Sequence, residues 1–162
     1  MDSCDVEGVE PLLPEIWISR VQAIATSLSE DGLDSGSLER ILRLAYHLCL
    51  LAPRDFQITT LNRNAEVCLE ALLDAQQFDC AATLLLCSSP ELEIHRSNKG
   101  AMVSVRLFQG GAIGKAVAST AAQALLAAIM DCLIMEHELN QAIQTYTLTD
   151  DTPHKSRSGS RR

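Results

Sequence analysis

Apolar and polar residues alternate most regularly between residues 91 and 108. Leu92 and Ile94 alternate with Glu93 and His95, which is the pattern of a strand with one face toward a core. Residues 97–100, Ser-Asn-Lys-Gly, are residue types that form tight turns. The alternation then resumes, with one apolar face at Val103, Val105 and Leu107. This pattern predicts a β-hairpin over about residues 91–108.

Before the hairpin, apolar residues recur every three or four positions, as they do on one face of an amphipathic helix. Pro14 suits the first turn of the first such segment. Ser37 is predicted to cap the second segment, with Glu39 in its first turn, and Pro53 closes it. A third helix is predicted to begin at about residues 62–64. The apolar faces of the first two segments are Trp17, Val21, Ile24 and Leu28, then Leu38, Ile41, Ala45 and Leu48.

Two short segments lie on either side of the hairpin. Residues 79–88 are apolar but too few for periodicity to separate a buried strand from a short buried helix. Because the run is short and ends at Ser88-Ser89-Pro90, a strand is favoured. After Gly110-Gly111, residues 112–118 are predicted to add a third short strand.

A long apolar helix is predicted from about residue 119 to residue 142, capped by Ser119 or Thr120. It is apolar nearly all round until Glu136, so it must be covered on more than one side. Either the sheet and the N-terminal helices cover it, or a second copy of the protein does. In the second case Leu126, Met130 and Leu133 form the dimer interface.

These elements predict the fold class α+β: a small antiparallel sheet packed by the C-terminal helix and by an N-terminal group of three helices. Residues 14–150 form a single domain, with a helical part at 14–52 and a helix–sheet–helix part at 62–142. Residues 1–13 are predicted to be a loose acidic leader, and residues 151–162 a disordered basic tail.

The run Lys115-Ala-Val-Ala-Ser-Thr-Ala-Ala-Gln-Ala-Leu-Leu-Ala-Ala128 resembles the closing segment of the phage-encoded ABA sandwich proteins. In that family a short strand leads through a Ser/Thr cap into an Ala/Leu helix that packs across the sheet. The resemblance covers roughly residues 62–142, without the proline after the Ser-Thr pair or the tryptophan-rich strand of many relatives. It implies a phage or mobile-element accessory protein of undefined activity, with no catalytic residues to carry over.

The net charge of −8 makes the body of the protein a poor partner for phosphate backbones. Nucleic-acid binding is therefore not expected, apart from weak contact by the basic tail. An acidic surface suits a basic protein partner, although many acidic proteins are merely soluble.

The cysteines and the chain start predict a cytoplasmic location. Most of the 6 cysteines lie in apolar runs and are expected to be reduced core residues. The first residues are acidic, so a secretory signal is not expected. No apolar run reaches the ~18 residues of a membrane-spanning helix.

Candidate chemistry is sparse along the chain. Residues 110–115, Gly-Gly-Ala-Ile-Gly-Lys, lack the spacing and the following Ser or Thr of a phosphate-binding loop, so a turn is the better interpretation. No cofactor and no metal are expected, because no paired zinc-ligand spacing occurs. Glu91, Glu93 and His95 alternate on the polar side of the hairpin. They are interpreted as a solvated strand face, with an acidic binding face or a small acid–base or metal cluster as alternatives.

The sequence therefore favours a non-enzymatic cytosolic protein that acts by protein–protein contact, as a phage or mobile-element accessory protein. One alternative is an acidic chaperone or immunity-type protein that binds a basic effector or toxin. Another is a small α+β enzyme of unknown reaction.

Overall fold

Two amphipathic helices open the described part of the chain, as their apolar spacing predicts. The structure is a computed structural model that describes residues 10–58, 61, 63–86 and 88–149. Helix α1 spans Pro14–Leu28 and helix α2 spans Ser35–Leu50. Every residue predicted for their apolar faces is buried. The predicted leader is described only from residue 10, and the predicted basic tail lies outside the described residues.

The residue that caps α2 differs from the prediction. Asp34, not Ser37, is the N-cap, and its carboxylate accepts a hydrogen bond of 2.8 Å from the Ser37 backbone N–H. That bond lowers the pKa of Asp34, since it favours the charged carboxylate. Glu39 consequently lies beyond the first turn, where its carboxylate pairs with Arg43.

Trp17 fastens α1 to the end of α2. Its indole N–H donates a buried hydrogen bond of 2.9 Å to the carbonyl oxygen of Leu48 in the last turn of α2. The indole also stacks on Phe56, with 5.0 Å between ring centroids, in the short 3₁₀ helix Arg54–Phe56. One side chain thus fills the core and also satisfies a carbonyl at a helix end, where intrahelical partners are missing.

Helix α3 spans Arg63–Asp74 and is joined to α2 by a charged pair. The guanidinium of Arg43 donates to both carboxylate oxygens of Glu70, the shortest distance being 2.7 Å. This hydrogen bonding lowers the pKa of Glu70 and raises that of Arg43, because each group stabilises the charged form of the other.

The prediction of a strand within residues 79–88 is wrong. Helix α4 spans Phe78–Thr83, and its Ala81 and Ala82 are fully buried. The turn before it places Gln76 in the left-handed region at a φ of 56°. Two hydrogen bonds, from Gln76 to Leu73 and from Gln77 to Leu72, close this turn as a Schellman motif. Glycine usually occupies this left-handed position at the end of a helix, so a glutamine there does not let the sequence predict the turn.

The sheet is an antiparallel meander in the order β1-β2-β3. Strand β1 spans Glu91–Ser97, β2 spans Gly100–Arg106 and β3 spans Gly114–Ala118. The predicted hairpin and the predicted third strand are both confirmed. One face carries Ala101, Val103 and Val105 into the core, and the other, here called the open face, carries the intervening residues.

Helix α5 spans Ala121–Thr149, so it continues past the predicted end at residue 142. Thr120 caps it, accepting a hydrogen bond of 3.2 Å from the backbone N–H of Gln123. The amide of Gln123 is buried and donates to the carbonyl oxygens of Leu28 at 2.9 Å and Glu30 at 3.3 Å. The start of α5 is thereby attached to the end of α1.

At Gly114, strand β3 approaches α5 so closely that no side chain fits between them. A Cβ placed on Gly114 would lie 2.7 Å from the Cβ of Cys132, and closer still to the backbone of Ala128 and Cys132. Helix α5 packs on β2 and β3 on one side and on α1 and α4 elsewhere. The predicted α+β class, with a long C-terminal helix on a small antiparallel sheet, is confirmed.

Candidate functional site

The three residues predicted for a dimer interface lie in the core of the single chain. Leu126, Met130 and Leu133 are all fully buried. The sheet, α1 and α4 cover this part of α5, which is the first of the two arrangements that the sequence allows. The prediction of a dimer interface through these side chains is therefore wrong, because the chain's own core already covers them and a second copy cannot contact them.

The polar residues of the hairpin lie together, as their alternation predicts. Glu91, Glu93 and His95 are exposed on the open face of edge strand β1. The register places them beside Arg106, Ser104 and Met102 of β2, in that order. Of these three residues only Glu91 is in an ion pair, at 3.5 Å from the buried Nε of Arg106.

The open face offers rows of side chains and no enclosed reaction site. One row crosses the sheet as Glu93, Ser104 and Lys115, and the next as His95, Met102 and Val117. Met102 and Val117 are 50% and 75% exposed, so this second row is mainly apolar. Within the described residues, no three potential metal-ligating side chains come together.

Strand β1 is exposed on more than its open face. It forms one edge of the sheet, and six of its seven residues are exposed while Leu92 is partly buried. Ile94 points to the core side of the sheet yet keeps 38% of its surface accessible, because the helices do not extend over this edge. Arg96 lies on the same side and pairs with Asp79 of α4 at 3.2 Å.

The last turns of α5 carry an exposed apolar stripe. It comprises Met135, Leu139, Ile143 and Tyr146, which are 43%, 43%, 53% and 78% exposed. Spacings of four, four and three residues place them on one face of the helix. The predicted helix ended at residue 142 and so excluded Ile143 and Tyr146 from this face.

The stripe begins where α5 leaves the body of the protein. Asp131 and Glu136 accept backbone hydrogen bonds from Lys115 at 2.9 Å and Ala112 at 2.8 Å. His137 lies against the ring of Phe56, with 5.9 Å between centroids. From residue 141 to residue 147 every side chain is exposed. The helix is thus held firmly as far as residue 137 and then projects from the body.

The cysteines divide into two groups. Cys49 and Cys132 are buried, and burial raises the pKa of the Cys49 thiol to about 12. Cys68 and Cys80 are exposed, so the expectation that most cysteines are core residues fails for these two. Cys4 and Cys87 lie outside the described residues.

Two shallow depressions lie on the surface of the described residues. One, of about 250 Å³, lies at the turn of the hairpin beside His95, Met102 and Val117. The other, of about 390 Å³, lies between α4 and the start of α5. Both are open to solvent, whereas small-molecule sites are usually enclosed, mostly apolar cavities with a few polar groups.

Comparisons with other proteins do not place the chain in a family. No protein-family model matches it, and neither the curated proteins nor the solved structures contain a significant match. Among the described residues, none of the helices combines the length and the apolar character needed to cross a bilayer.

Proposed function

We propose that this chain is a non-enzymatic protein-interaction protein that binds an amphipathic helix of another protein through the apolar stripe of α5. The observation that carries the proposal is the projection of α5 from the body with Leu139 and Ile143 exposed along one face. Exposed apolar side chains in a continuous row cost solvation free energy until a partner covers them.

The geometry of the stripe supports a helical partner. Leu139, Ile143 and Tyr146 follow at spacings of four and three residues, which is the repeat of helix-on-helix packing. The nine residues from 141 to 149 extend about 13 Å at the helical rise. This length presents roughly two and a half turns, enough for two or three side chains of a partner helix to interdigitate.

Charge beside the stripe supports a basic flank on that partner. Glu136 and Glu138 border the stripe on its two sides near the body, and the chain carries a net charge of −8. Lysine or arginine at the edges of the partner helix would complement these carboxylates and speed association. The proposal thereby includes the basic partner of the chaperone or immunity-type hypothesis. A cytoplasmic location and a phage or mobile-element origin remain predictions from the sequence, as does the enzyme alternative.

The test compares two baits that carry the same added charge. Leu139→Glu with Ile143→Glu alters the stripe, whereas Gln141→Glu with Gln144→Glu adds two carboxylates to the opposite face of the helix. All four positions are exposed, so both double variants are expected to fold with unchanged circular dichroism. Each bait and the unaltered chain are used for affinity capture from a lysate of the source organism, at low and at moderate salt.

A partner of this stripe is captured by the unaltered chain and by the Gln variant but not by the Leu139/Ile143 variant. Titration of the purified partner must then reproduce the difference, with a dissociation constant at least about tenfold weaker for the stripe variant. The proposal fails if all three baits capture the same proteins, or if no protein distinguishes them.

A further inference from the structure

The β1 edge of the sheet, to which no other strand of the described residues pairs, presents a seven-residue strand whose sequence is complementary to itself. We propose that two copies of this chain associate by antiparallel pairing of their β1 strands, with the two-fold axis at Ile94. The pairing joins two three-stranded sheets into one sheet of six strands. It involves a different surface from the α5 stripe, so it stands or falls independently of the proposed function.

The backbone of β1 supplies the first argument. The two-residue loop of the hairpin closes on the pair Ser97 and Gly100. The two residues of such a closing pair exchange backbone hydrogen bonds, and along an antiparallel ladder hydrogen-bonded pairs alternate with pairs that are not hydrogen-bonded. Residues 91, 93, 95 and 97 therefore bond to β2, while the N–H and C=O groups of Leu92, Ile94 and Arg96 point to the free edge. Pairing about Ile94 joins these outward groups to the same set on a second copy.

The order of charges along β1 supplies the second argument. Its acids, Glu91 and Glu93, come first, and its basic or titratable groups, His95 and Arg96, follow. When two such strands run antiparallel, the acidic half of each lies beside the basic half of the other. With the axis at Ile94, Glu93 faces His95 of the second copy on both sides of the axis. Opposite charges across a strand pair stabilise it, and like charges destabilise it.

The neighbouring registers are disfavoured by the same side chains. Shifting the axis to residue 93 places Glu93 opposite Glu93 of the second copy, and shifting it to residue 95 places His95 opposite His95. Each shift also loses a backbone pairing, because Arg96 would face Pro90, which has no N–H, in the first register and Leu92 would face Asn98 of the turn in the second. Only the register about Ile94 places an apolar residue on the axis.

Pairing of the two β1 strands would also bury apolar side chains on the core side of the sheet. Ile94, 38% exposed in the single chain, packs on Ile94 of the second copy. Leu92 comes to face Arg96 of the second copy, whose aliphatic stem covers it while the guanidinium remains with Asp79 of its own chain. The pairing thus removes from water the apolar surface that the helices leave open at this edge.

The test measures mass by sedimentation equilibrium and by light scattering on the full chain. The unaltered protein is expected at twice its chain mass of 17.6 kDa, with dissociation on dilution. Ile94→Pro removes an N–H that points to the free edge and leaves the bonds to β2 intact. It should raise the dimer dissociation constant about thirtyfold or more, with unchanged circular dichroism.

Charge exchange tests the register and does not depend on the proline variant. His95→Glu places a carboxylate opposite Glu93 of the second copy, and Glu93→Lys removes the carboxylate that His95 of the second copy faces, so each should shift the protein toward monomer. The double variant Glu93→Lys with His95→Glu restores opposite charges and should restore the dimer. Glu15→Lys, on the exposed surface of α1, is the matched control and should leave the dimer unchanged.

Three results would overturn the proposal. The first is a monomer for the unaltered chain at every accessible concentration. The second is a dimer that Ile94→Pro leaves intact, which would place the contact on another surface. The third is a double charge exchange that remains monomeric, which would exclude the register about Ile94.

Discussion

Replacing Gly114 by alanine tests the closest contact in the fold, between β3 and α5. The added methyl carbon would lie 2.7 Å from the Cβ of Cys132, whereas carbon atoms in contact prefer about 3.5–4.0 Å. It would also overlap the backbone of Ala128 and Cys132, and backbone atoms within a helix cannot rotate away. The strand and the helix must therefore separate by about an ångström.

The expected cost is about 3 kcal/mol, at the upper end of the range for overpacked cores. In a domain of this size, 1 kcal/mol shifts the melting temperature by about 2–4 °C, so Gly114→Ala should lower it by about 6–12 °C. Separation of β3 from α5 also loosens the contacts of β2, which packs on the same helix.

Differential scanning calorimetry of Gly114→Ala and of Gly111→Ala provides the measurement and its matched control. A Cβ on Gly111 would lie 2.6 Å from Oε2 of Glu136, a carboxylate on a flexible side chain that can move aside. Because that movement gives up the hydrogen bond from the Ala112 N–H to the same oxygen, Gly111→Ala should cost about 1 kcal/mol, well below the cost expected at Gly114. Equal melting temperatures for the two variants would refute the argument that β3 and α5 are in backbone contact at Gly114.

Two further substitutions test the contacts of α2. Trp17→Phe leaves the buried carbonyl of Leu48 without its indole donor. Unfolding in urea should therefore show a free energy of unfolding about 2 kcal/mol lower, with an unchanged m value. An unchanged urea midpoint would contradict a stabilising role for this hydrogen bond. Glu70→Gln removes the carboxylate whose pKa the hydrogen bonds from Arg43 lower. This ion pair stabilises the folded protein fully above pH 4.5, the ordinary pKa of a glutamate, and the stabilisation is lost as the pH falls through the lowered pKa of the folded state. The melting temperatures of Glu70→Gln and the unaltered chain should therefore differ at about pH 7 and converge at about pH 3, with the gap reduced by salt, and a gap independent of pH would contradict the ion pair.

The hairpin and the first two helices could be predicted because each carries its own local signal. Alternation with a turn-forming tetrapeptide specifies β1 and β2, and a repeat of three or four residues specifies α1 and α2. In these segments local preference and tertiary packing agree, so the buried residues could be named in advance.

The errors fall where packing decides the outcome. The run from Ala81 to Leu86 is short and apolar, so only its contact with α5 and the turn at Gln76 show that it begins as a helix. The burial of Met130 was ambiguous because an apolar helix looks the same whether its own chain or a second copy covers it. The close approach at Gly114 has no local signal at all, since glycine in a loop and glycine in a strand read alike.

The surfaces now proposed as functional were only partly visible in the sequence. Glu91, Glu93 and His95 were correctly grouped, but alternation alone could not show that their strand lies at an edge. Ile143 and Tyr146 were missed because polar residues surround them and weaken the periodicity after residue 142.

The bond from Gln123 to the carbonyl of Leu28 joins residues 95 positions apart in the chain. Helix α5 is made last, yet it covers the apolar sides of both α1 and the sheet. During synthesis, therefore, the N-terminal helices and the hairpin emerge with no partner for those surfaces, and the core can close only once α5 has followed. Any fragment that stops before α5 would leave both surfaces in water, so the shortest segment able to fold by itself includes almost the whole described chain.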